Sequence, residues 1–149
     1  MKYLLLIFVS LLLSMPSFAQ EVKVEKCRSE VKGGRYKLYS ASYGMRGERP
    51  LLLIIVVNQR RINREDMIQL ARRLKSEYCH EEKLMTVIYD NRKYINHNYF
   101  VDFLNSGGKK NWARGYYSFD RATGKDLIEF SSKLGNPTDE NKINLSAEN

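Results

Sequence analysis

Asp90, His80 and His97 are the residues with which this chain could do acid–base chemistry, and Cys27 and Cys79 are its only thiols. Nucleophilic catalysis needs a base beside Ser or Cys, and imidazole is the usual one. Neither histidine stands in a motif that supplies such a partner, because the sequence contains no G-x-S-x-G, H-E-x-x-H, C-x-x-C or calcium-loop pattern. On a helical wheel His97 falls inside an apolar arc beside Val101 and Leu104, which reads as a partly buried structural side chain. His80 follows a helix C-terminus, where the dipole favours a cation. Asp90 is the best single acid. It ends an apolar strand, and ligands collect at the carboxyl ends of parallel strands. Its structural alternative is to cap the helix that follows.

The thiols read as a Cys27–Cys79 disulfide, closing a long loop and stabilising the fold by about 4 kcal/mol through the entropy of the unfolded chain. With His80 and His97 they make a two-Cys, two-His set. Those spacings fit no compact zinc pattern, and adjacent Cys79 and His80 chelate awkwardly. No metal and no cofactor are therefore expected.

Charge is the broadest clue. The 149 residues carry 25 Lys+Arg against 17 Asp+Glu, a formal net charge of +8. The densest cluster is Arg60, Arg61 and Arg64, with Arg72 and Arg73 on the flank of the same predicted helix and Lys109 and Lys110 in a glycine turn further on. The Ser106–Lys110 turn lacks phosphate-loop spacing and follows a helix instead of preceding one. A basic surface of this kind meets polyanions, acidic proteins or anionic head groups. No nucleic-acid-binding motif is present, and none is expected as a partner.

Residues 1–19 read as a secretory signal peptide. Met1-Lys2 is basic, Leu4 to Leu13 is apolar apart from Ser10, Pro16 breaks the helix, and Ser17-Phe18-Ala19 puts small residues at a cleavage site after Ala19. The apolar run has about half the length of a membrane span. The mature chain is thus expected outside the cytoplasm, periplasmic or secreted, where disulfides persist.

The elements that must position these groups follow from periodicity. Residues 20–34 read as a charged arm. Arg35 to Tyr43 alternates as a strand, with Tyr39, Ala41 and Tyr43 on one face. Leu51 to Val57 is an unbroken apolar strand, and Leu84 to Tyr89 is a second. Between them Asn63 caps a helix whose stripe is Met67, Leu70, Ala71, Leu74 and Tyr78. A second helix is expected over Arg92 to Leu104. Ala113 to Asp120 and Asp126 to Ser131 read as a hairpin turning at Gly124. From 135 to 149 the chain is polar and reads as a disordered tail that truncation would not affect.

The expected fold is α+β, one domain over 35–134. It has a mixed sheet of about five strands in the order β-β-α-β-α-β-β, two helices, and a two-layer sandwich architecture. The expected function is a small exported binding or accessory domain contacting an anionic envelope component or another protein. The alternatives are an extracytoplasmic enzyme built on Asp90, with His97 as a second candidate, and a secreted inhibitor or immunity-type protein.

Overall fold

Apolar residues in unbroken runs belong to strands shielded on both faces, and two such runs organise the fold. The computed structural model describes residues 22–44, 50–95, 113–133 and 141–147. Its elements are β1 (Lys37–Tyr43), β2 (Leu51–Val56), α1 (Arg64–Glu77), β3 (Lys83–Tyr89), β4 (Gly115–Asp120), β5 (Lys125–Phe130) and β6 (Asn141–Asn144). Short 3₁₀ turns lie at Gln59–Arg61, Arg92–Tyr94 and Leu145–Ala147. The six strands form one mixed sheet in the order β1-β2-β3-β4-β5-β6. Only β2 and β3 pair in parallel, and α1 connects them; every other pair is antiparallel.

The alternation of side chains along a strand divides the interior in two. Leu51, Leu53 and Ile55 of β2 meet Met67, Leu70, Ala71 and Leu74 of α1 in the main core, joined by Leu84, Tyr117 and Ile128. On the opposite face Ile54, Val87, Tyr89, Ala113 and Tyr116 form a second cluster. β2 is internal, one strand in from an edge. The helix begins as its sequence suggests: the Asn63 side chain accepts from the Asp66 N–H at 3.0 Å, and Tyr78 closes the last turn. The hairpin also forms where expected, with Gly124 at φ +71° and Asp120 accepting from Ala122 N at 3.0 Å. Among the described residues no helix is long and apolar enough to cross a membrane.

The arm is strapped to α1. Cys27 is bonded to Cys79 just beyond the helix, and Cys27 N donates to Glu77 O at 2.7 Å. Towards the other end of the helix the arm comes so close that a Cβ on Gly34 would lie 2.5 Å from Leu70 Cα. Gly34 also has φ +65°, so both space and backbone conformation require glycine there.

Four expectations are corrected. The sheet has six strands, not five. The chain after Asp90 does not enter a helix: Arg92–Tyr94 is a single 3₁₀ turn, and Ile95 leaves it in extended conformation. Tyr94 and Ile95 are apolar because they pack on the second cluster, and the antiparallel β3–β4 pairing needs no crossover helix. The remainder of that expected helix lies outside the described residues. Tyr39 does not share a face with Ala41, because the β1–β2 register shifts between Leu38 and Ser40 and sends Tyr39 to the second cluster. The expected disordered tail contains β6, which pairs with β5 and buries Ile143 and Leu145. Two apolar residues two apart, with polar neighbours, were enough for a short edge strand and its closing turn.

The C-terminal residues therefore stabilise the fold. Ile143 is 3% exposed, and Ile143→Ala should cost about 2–5 kcal/mol in urea unfolding. An unchanged midpoint would mean that β6 adds nothing to stability.

Candidate functional site

The arginine cluster sits where β2 passes into α1. Asn58 accepts from Arg60 N at 3.0 Å and turns the chain through the 3₁₀ segment. Arg60 is thereby exposed and Arg61 half-exposed, while Ile62 between them and the helix is buried as an anchor. Arg64 is exposed on the first turn of α1, and Arg72 is exposed further along it. Arg35, at the end of the arm, and Arg61 line one small depression together with Gly34 and Asp66.

Carboxylates pair with some of the cations and not with others. Lys26, Arg73, Lys75, Lys83, Arg114 and Lys142 each lie within 3.1 Å of a carboxylate oxygen. Among the described residues, no carboxylate pairs with Arg60, Arg61 or Arg72. Of the two carboxylates in the first turn of α1, Glu65 and Asp66, Asp66 is drawn to the cap, where Asn63 Nδ2 donates to it at 2.8 Å. Three arginines at the positive end of a helix dipole are also electrostatically unfavourable. Departures from local preference of this sort accumulate at sites with a partner.

Arg73, expected in the same surface, is engaged elsewhere. Its Nε donates to Glu77 at 2.7 Å and its Nη1 to the Gly33 carbonyl at 3.1 Å. Glu77, buried at 7% exposure, also accepts from Tyr36 at 2.5 Å and Lys26 at 3.1 Å. Burial pushes the Glu77 carboxyl up, but the hydrogen bonds from Tyr36, Arg73 and Lys26 outweigh it and hold the group below the ordinary carboxylate value. Burial, then the bond to Glu77, raises the Tyr36 hydroxyl far above its usual range. This knot fastens the arm to the helix. The sequence carried a signal for it: Glu77 is seven residues beyond Leu70 and three beyond Leu74, on the apolar stripe itself.

Asp90 is not a cap; Asn91 takes that role by accepting from Lys93 N at 3.0 Å. Asp90 pairs with Arg114 at 2.5 Å, their side chains 6% and 2% exposed. Arg114 also donates to the carbonyls of Ser131, at 3.2 Å, and Ser132, so it ties the end of β3 to the chain leaving β5. Asp90 Oδ1 is buried without a hydrogen-bond partner among the described residues. Arg114 was missed from sequence; its only signal is an arginine between Ala113 and Gly115, small neighbours that leave room for a buried guanidinium. His80 is exposed, beside the disulfide: a ring nitrogen and the two sulfurs lie within 4.8 Å of one another. With the sulfurs bonded to each other, neither offers a thiolate ligand. His97, Lys109 and Lys110 lie outside the described residues.

Two outcomes follow. Arg114→Ala leaves a buried carboxylate alone and should cost about 3–5 kcal/mol, much of it recovered when Asp90→Ala is added; a double-mutant loss equal to the sum of the two single losses would deny the coupling. For Glu77, a folded pKa below the unfolded one means a stabilisation present in full above the ordinary value of 4.5 and lost as pH falls below it. Glu77→Gln should therefore be less stable than wild type at neutral pH and converge with it in acid, as read from unfolding midpoints across pH. No model of a known protein family matches this chain, and no curated protein or solved structure matches it either.

Proposed function

We propose that this chain is a small exported binding domain that contacts an anionic envelope component through the face formed by Arg60, Arg61 and Arg64, with Arg35 and Arg72 at its margins. The observation that carries the reading is the division of the cations. Six cations are matched by carboxylates, whereas Arg60, Arg61 and Arg72 are among the exposed or half-exposed ones with none among the described residues, and Arg60 and Arg61 are adjacent on one fixed turn. Guanidinium groups suit phosphate and carboxylate because their planar fork donates two parallel hydrogen bonds. The 3₁₀ turn and the buried Ile62 fix the backbone beneath them, so less order is lost on binding. An enzyme built on Asp90 has less support, since one of its oxygens is engaged by Arg114 and both side chains are buried.

The test is binding to vesicles containing anionic phospholipid, with neutral vesicles as the control. Each arginine near an anionic surface contributes about 1 kcal/mol, so Arg60→Gln, Arg61→Gln and Arg64→Gln together should weaken binding about 100-fold. Lys109→Gln with Lys110→Gln should weaken it much less. Losses in simple proportion to charge removed would reduce the site to net charge. No binding of the wild type at about 150 mM salt, where screening acts within about 8 Å, would remove the anionic partner altogether.

A further inference from the structure

We propose that the Cys27–Cys79 disulfide is an exchangeable latch, attacked by a small thiol at Cys79, whose opening frees the arm from α1. This goes beyond the binding face and does not depend on it.

The two cysteines differ in exposure. Cys79 is exposed immediately after the helix cap, whereas Cys27 is half-buried with its N–H bonded to Glu77 O at 2.7 Å. Thiol–disulfide exchange begins with a thiolate on an accessible sulfur and proceeds faster the better the departing thiolate is accommodated. An incoming thiolate bonds to Cys79 Sγ, the Sγ–Sγ bond breaks, and its electron pair leaves on Cys27 Sγ. A ring nitrogen of His80 lies within 4.8 Å of both sulfurs, so that a small turn of the exposed ring brings an N–H to the charge developing on the departing sulfur. A second small thiolate then bonds to the sulfur of the first, the bond to Cys79 Sγ breaks, and Cys79 leaves with its electron pair as the small disulfide is released. The balance is one protein disulfide and two small thiols giving two protein thiols and one small disulfide.

What opens is a strap. Residues 22–34 contain no helix or strand. Apart from the disulfide they are held to α1 by the Cys27 N–H bond to Glu77 O, the Lys26–Glu77 pair, the Arg73 bonds to carbonyls at 31 and 33, and the seat of Gly34 on Leu70. The sheet and α1 keep their own core, to which the arm adds Val24 as a half-buried margin. Breaking the latch should therefore loosen the strap while the strands hold.

The test treats the folded, oxidised full chain with reduced glutathione, quenches with acid, maps the adduct by mass spectrometry and follows hydrogen exchange by segment. The expected result is glutathione on Cys79, then an increase of about tenfold or more in exchange within 22–34, with β2, β3 and β4 still protected. His80→Asn should slow the first step about tenfold without moving the melting temperature of the oxidised form. A disulfide that reacts only after global unfolding, a first adduct on Cys27, loss of protection across the whole sheet, or an unchanged rate in His80→Asn would each overturn the proposal.

Discussion

The burial of one helical stripe against one face of β2 sets the rest of the molecule. Met67, Leu70, Ala71 and Leu74 must be covered, and the odd-numbered residues of β2 with Leu84 and Ile88 of β3 cover them. That contact needs β2 and β3 parallel and adjacent, since α1 runs back between them. Once this unit is fixed, antiparallel strands can add outward on each side, and they do so in chain order. The helix still has flanks to close. On one, Lys75 of α1 reaches Asp126 of β5 at 2.5 Å, and Tyr117 donates to the same carboxylate at 2.9 Å. On the other, the arm and its glycine press directly on the helix backbone.

Buried charge follows the same logic. Glu77, Asp126 and Asp90 are the acids drawn inward, and each meets a cation from a different part of the chain: Lys26 from the arm, Lys75 from the helix, Arg114 from the start of β4. A buried ion pair adds little net stability over an apolar pair, but a mismatched one is costly. These contacts therefore act mainly to exclude other arrangements of arm, helix and hairpin. Among the described residues, Arg60 and Arg61 beside Ile62 take no part in these pairings.

The sequence was most legible where one periodicity dominated. The cap at Asn63, the stripe of α1, both apolar strands, the Gly124 hairpin and the disulfide could all be read, because each rests on local geometry or on there being only two thiols. It was least legible where long-range contacts overrode the local pattern. Tyr94 and Ile95 resembled a helical arc, but their apolar character answers to the second face of the sheet. Ile143 and Leu145 looked isolated in a polar tail until β5 offered a partner. Of the candidate site, the arginines were visible as a cluster. That Asp90 belongs to Arg114 was not, since that pairing joins separate elements; Arg73 and Glu77 stand four apart on one helix, and what hid their pairing was that Arg73 counted as part of the basic surface.

The sequential strand order has a kinetic consequence. Each strand pairs with its neighbours in the chain, so the sheet can grow by successive short closures, and the search for partners stays local. The arm is the exception, because Cys27 must find Cys79 across 52 residues. Its seat on α1 and its hydrogen bond to Glu77 O exist only after the helix has formed. The covalent link is thus placed to form late, as a seal on a completed fold and not as a guide to it. With no other cysteine in the chain, that seal has no intramolecular rival.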